Sequence, residues 1–156
     1  MIRLLAVLAV LGAAVLAGCG TSGDSGLIHP GRLSKSQWIS AADDICADAF
    51  RRAAALPRPS TSEDLVKQLG RLIGIFEDEH AQLKSLVPEP QEQTAVDAVV
   101  EAAAVQITLA RGLQEVAKTG DPARMSAYST ANAAKAQQAQ RVAQQYGLKI
   151  CGRPSG

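Results

Sequence analysis

From Ser34 onward the apolar residues of this chain recur at three- and four-residue intervals in four successive runs, and proline or glycine closes each run. That interval is the repeat of an α-helix with one buried face. No alternation of β-branched and polar residues lasts more than a few positions, so the chain is expected to be all-α.

The first run, about Ser36 to Leu56, carries Trp38, Ala42, Ile45, Ala49, Phe50, Ala53 and Leu56 on one stripe, with Cys46 at its edge. Pro57-Arg58-Pro59 stops it, and Ser60 with Glu63 has the spacing of a capping box for the next helix. That second helix, about Ser62 to Val87, has a stripe of Leu65, Leu69, Leu72, Phe76, Leu83 and Leu86, with Val66, Ile73 and Val87 on its flank. Pro88-Glu89-Pro90 is a short link to a third helix, about Gln91 to Lys118, built on Val96, Val99, Val100, Ala103, Ile107, Ala110 and Leu113. Thr119-Gly120-Asp121-Pro122 then supplies a left-handed C-terminal glycine, an N-cap and a first-turn proline in four residues. The fourth helix, about Pro122 to Tyr146, is rich in Ala and Gln, keeps only Met125, Tyr128, Val142 and Tyr146 as large groups, and ends at Gly147. Long helices joined by short links pack as antiparallel neighbours, which predicts an up-down-up-down four-helix bundle.

Ahead of the bundle, Arg3 precedes a 13-residue uncharged apolar stretch, Leu4 to Leu16, which closes on Leu16-Ala17-Gly18-Cys19. This is the anatomy of a bacterial lipoprotein signal peptide. A spanning helix would need roughly 20 apolar residues, and Gly20-Thr21-Ser22-Gly23-Asp24 ends the run. Residues 1–18 are therefore expected to be cleaved, leaving Cys19 lipidated at the new amino terminus. With two or more acyl chains at about 0.8 kcal/mol per buried CH₂, such an anchor holds firmly. Residues 19–33, rich in Gly, Ser and Pro, read as a flexible tether, and 34–156 as one helical domain. The expected address is the outer face of the bacterial cytoplasmic membrane.

With Cys19 acylated, Cys46 and Cys151 remain, and an even pair in an exported domain is expected to be oxidised. Cys46 sits about ten residues, or roughly 15 Å, into the first helix. Four extended residues beyond Gly147 reach back roughly 13 Å. A bridge would therefore clip the tail onto the first helix. The absence of a Cys-x-x-Cys motif argues against a redox-active pair.

The segments Ser34-Lys-Ser-Gln-Trp-Ile-Ser-Ala-Ala-Asp-Asp-Ile-Cys46 and Tyr146-Gly-Leu-Lys-Ile-Cys151-Gly152 resemble those of a recurring group of small exported actinobacterial lipoproteins. The resemblance implies a helical envelope lipoprotein with a paired cysteine and brings no reaction with it.

Candidate sites are few. Glu77 and His80, within Glu77-Asp78-Glu79-His80, have the Glu-x-x-His spacing of di-iron bundles. A second such motif is missing, the fourth helix has no acid, and His29 falls in the tether, so the cluster reads as a solvated acidic turn and no metal or cofactor is expected. Gly70 and Gly74 each cost a helix interior about 1 kcal/mol against alanine. Close approach of a neighbouring helix offsets that, as would room for a small apolar ligand. Arg141, Lys149 and Arg153 gather toward the end of the bundle that carries Arg32, Lys35 and the anchor, where they are placed to touch anionic headgroups. Asp43, Asp44 and Asp48 lack an evident partner and are expected to face water.

Sixteen basic against fifteen acidic residues give a net charge of +1, no reason to expect a nucleic acid partner. No catalytic constellation is present: no Gly-x-Ser-x-Gly, no phosphate-binding glycine loop, no paired-histidine metal motif. The expectation is a non-catalytic envelope lipoprotein that meets the membrane through Cys19 and serves as an interaction or envelope-maintenance module. The alternative is a carrier for a lipid or apolar small molecule between its helices.

Overall fold

The computed structural model describes residues 31–153. The expected signal peptide, Cys19 and most of the tether lie outside the described residues.

Among the described residues there are four α-helices, α1 (Lys35–Ala54), α2 (Ser62–Ser85), α3 (Gln93–Ala117) and α4 (Pro122–Tyr146), with a 3₁₀ turn, Pro90–Glu92, ahead of α3. No strand occurs among the described residues; one isolated bridge joins Leu33 to Pro88. The fold is the expected all-α four-helix bundle. No helix among the described residues is long and apolar enough to cross a membrane.

Local chemistry sets the helix ends. Ser34 caps α1 with a full capping box, its side chain accepting from the Gln37 N–H while the Gln37 side chain accepts from the Ser34 N–H. The cap of α2 is Thr61, which accepts from the Asp64 N–H at 3.0 Å; the expected Ser60–Glu63 box is not formed, and Ser60 instead donates to the Asp64 carboxylate. Both hydroxyls converge on Asp64, so the helix starts one residue later than the box would place it. Asp121 caps α4 by accepting from the Ala123 and Arg124 N–H groups, directly after Gly120 at φ +66°. Gly147, at φ +113°, ends α4 in the left-handed conformation that suits glycine.

One core cluster shows which ends of the helices meet. Trp38 from the start of α1, Leu83 from the end of α2, Val96 and Val99 from the start of α3, and Ala143 and Tyr146 from the end of α4 pack together with Leu148. This is the end sharing required by up-down-up-down topology. Trp38 and Tyr146 meet edge to face with centroids 5.4 Å apart, and the Lys35 ammonium lies 4.7 Å above the Tyr146 ring. Toward the other end, Tyr128 of α4 fits over Gly112 of α3 and donates to the Leu109 carbonyl at 3.2 Å. Backbones approach closely from α1 to α2, α2 to α3 and α3 to α4, whereas α1 and α4 are held together chiefly at their shared end.

The chain enters the domain at that same end. Leu33 donates to Val87 O at 2.8 Å and accepts from the Glu89 N–H at 3.0 Å, and Arg32 donates to Pro88 O. The last two residues of the expected tether are thus fastened to the link between α2 and α3.

Candidate functional site

The central feature is a disulfide between Cys46 and Cys151, whose Cα atoms are 5.3 Å apart. Cys46 is fully buried on α1, at the centre of that helix's buried face and not at its edge, because the tail packs over it. Cys151 sits in a short tail that α1 and α4 grip together. The Asp43 carboxylate accepts from the backbone N–H groups of Lys149, Ile150 and Cys151 at 2.8–3.2 Å. Gln144 donates to the Gly152 carbonyl at 2.6 Å. Asp43, expected to face water, is therefore an anchor for the tail: turning three N–H groups toward one carboxylate satisfies donors that no helix supplies with acceptors. Of the other two aspartates, Asp44 is exposed and Asp48 pairs with Arg51.

The acidic turn on α2 divides in a way the sequence does not announce. Glu77 pairs with Arg111 of α3, and Asp78 with Arg52 of α1 at 2.7 Å. Glu79 turns inward, bringing its Oε1 to 2.9 Å from the Cys46 sulfur. The solvated reading fails for this residue. Its position follows the stripe of α2: Leu72, Phe76, Glu79 and Leu83 continue the alternating four- and three-residue steps, and the apolar list skips one position where Glu79 stands. That skipped position is the signal that could have found it. Burial raises the Glu79 carboxyl from 4.5 to about 7, because a low-dielectric wall disfavours the charged form.

A disulfide sulfur carries no proton, so a hydrogen bond between Cys46 Sγ and Glu79 Oε1 requires the protonated form of Glu79, which then donates to the sulfur. The ligand-capable atoms of Cys46, Glu79 and Cys151 all lie within 4.8 Å of one another. A metal would require both cysteines as thiolates, and the bridge removes them.

Beside this trio lies a cavity of about 110 Å³. Its walls come from all four helices and the tail: Leu83, Val99, Ala102 and Ala139 make it apolar, Glu79, Gln106 and Gln140 add polar groups, and exposed Phe50 and Arg153 stand at its rim. A shallower groove of about 310 Å³, lined by Ala98, Ala102, Val105, Lys135, Ala139 and Val142, runs along the α3–α4 seam and shares Ala102 and Ala139 with the cavity.

The two helix glycines part company. A Cβ on Gly70 would come within 2.9 Å of Gln114 Nε2, which donates to the Val66 carbonyl at 3.0 Å, so Gly70 admits a side chain of α3. Gly74 has nothing within 4 Å of that position. Of the basic residues, Arg32 and Lys35 are engaged at the entry end, Lys149 is exposed beside Asp43, and Arg141 bonds Gln138 on its own helix. Cys19 lies outside the described residues. No protein-family model matches the chain, and comparisons with curated proteins and with solved structures reveal no significant similarity.

Proposed function

We propose that this chain is a lipid-anchored, non-catalytic module of the bacterial cell envelope, displayed on the outer face of the cytoplasmic membrane through Cys19, that holds a partner in the cavity beside the Cys46–Cys151 bridge. The observation that carries the reading is the apolar cavity with Phe50, 38% exposed, at its rim. Size decides what such a cavity takes. An apolar cavity of about 150 Å³ holds one benzene, so about 110 Å³ suits a single apolar side chain and not a lipid tail. One inserted side chain surrounded by a water-excluding rim is the form in which protein interfaces concentrate their affinity. The fastening of Leu33 beside the Trp38–Tyr146 end supports an orientation with that end toward the membrane and the cavity opening sideways.

The α3–α4 groove favours a second reading, a carrier of a longer apolar molecule, because it runs along the helix seam and alanine lines much of it. Native mass spectrometry of the protein released from membranes separates the two. An apo mass fits the interaction module, and a co-purified apolar molecule fits the carrier. The address is tested on the amino-terminal peptide, where an intact Met1 or an unmodified Cys19 would overturn it.

A further inference from the structure

A largely buried carboxyl, Glu79, stands 2.9 Å from the Cys46 sulfur of the bridge. Here the carboxyl stands on the wall of an apolar cavity that reaches the same bridge from outside, and the two cysteines are unequal. Cys46 is fully buried, whereas Cys151 is partly exposed and lines the cavity. The geometry points to the Cys46–Cys151 bridge as a thiol–disulfide exchange site, in which a small thiolate attacks Cys151 Sγ through the cavity and Glu79 hands its proton to the departing Cys46 sulfur. The reaction goes beyond partner binding and revises the sequence expectation of a redox-inert pair; it needs the cavity open to the thiolate, so a side chain seated there would shield the bridge.

In the first step the incoming thiolate forms a new S–S bond to Cys151 Sγ. The Cys46–Cys151 bond breaks, and its electron pair leaves on Cys46 Sγ. The Glu79 O–H, 2.9 Å away, transfers its proton to that sulfur, leaving a thiol and a carboxylate. A second thiolate of the reductant then attacks the mixed disulfide and releases Cys151 as a thiolate. The reductant, a low-molecular-weight dithiol, is oxidised by two electrons, and the bridge is reduced by two.

Exchange is faster when the leaving sulfur departs at low cost. Departure as a bare thiolate into an apolar wall is the costly course, and a proton supplied at hydrogen-bond distance removes that cost. Arg153 at the rim draws an anionic nucleophile toward Cys151. Among the described residues, Arg153 is the one charged residue besides Glu79 that lines the cavity. From α1 come Cys46 and Phe50, from α3 and α4 the uncharged Gln106 and Gln140 with apolar neighbours, and from the tail Cys151 and Arg153. On α2 itself, Glu77 and Asp78 are paired outward, and His80 is the adjacent partly buried residue. Burial lifts the carboxyl to about 7, so the proton is present at and below neutrality.

The test is the rate at which dithiothreitol reduces the folded full chain, followed by alkylation and mass, from about pH 5 to about pH 9. Glu79→Gln is expected to slow the reaction roughly 100-fold at the acidic end, the lower range for a positioned general acid, with the difference collapsing as the pH rises through about 7. A wild-type-to-variant ratio that stays flat with pH overturns the proposal. If the variant does not fold, the wild-type rate is divided by that of a small-molecule disulfide under the same conditions, which cancels the ionisation of the reductant. The ratio is expected to fall through about pH 7. A constant ratio, or reduction no faster than global unfolding, overturns the assignment.

Discussion

Replacing Glu79 by glutamine should make the protein more stable at alkaline pH and leave it unchanged in acid. In the folded chain the carboxyl is raised by burial from 4.5 to about 7. Between those values the folded state keeps a proton that the unfolded chain has released, so stability falls as the pH rises through that window and is level on either side. At 1.36 kcal/mol for each pH unit, the folded state loses roughly 3 kcal/mol once Glu79 is ionised. Glutamine has nearly the shape of the protonated acid and never ionises. The difference between variant and wild type should thus be near zero at about pH 4 and grow to roughly 3 kcal/mol in favour of the variant by about pH 8. Other titrating groups are shared by the two chains and largely cancel. Urea unfolding with the bridge intact, read by the fluorescence of Trp38, the chain's one tryptophan, gives both curves. Curves that run parallel across this range would refute the argument that Glu79 is held neutral by its apolar surroundings.

Other parts of the structure make separate demands. Replacing both Cys46 and Cys151 by alanine should lower unfolding stability by up to about 4.7 kcal/mol, the chain-entropy figure for a loop of roughly 100 residues. Asp43→Ala should cost about 1–3 kcal/mol, since it strands three backbone donors, and hydrogen exchange should show lost protection at Lys149, Ile150 and Cys151 and not at α2. Gly112→Ala should destabilise by about 1–3 kcal/mol because its methyl would overlap the Tyr128 hydroxyl. Gly74→Ala, with open space at the same atom, should stabilise by about 1 kcal/mol, and urea midpoints of the two variants should move in opposite directions.

The parts of the fold written in short-range chemistry were legible from the sequence. Gly120, Asp121 and Pro122 announce the turn between α3 and α4 because a left-handed glycine, an acceptor and a preset φ are each local needs, and Gly147 announces the end of α4 in the same way. The helical period exposed the bundle. The site was less legible because it depends on how helices rotate against one another and on a tail returning from more than 100 residues away. Asp43 has no mark in the sequence of its use, since its partners are backbone N–H groups of residues 149–151. Nor does the cluster Glu77-Asp78-Glu79-His80 say which acid turns inward. Only the stripe of α2 does, by passing through Glu79 on its way from Phe76 to Leu83.

Occupancy of the cavity is the property on which the function turns, and it can be read in living cells. A photoreactive residue placed at Phe50, on the rim of the cavity, is compared with one at Arg58, exposed on the link between α1 and α2. A module that seats a partner's side chain in that cavity predicts a discrete protein adduct from position 50 and none from 58. No adduct from position 50, or the same adducts from both positions, would contradict it.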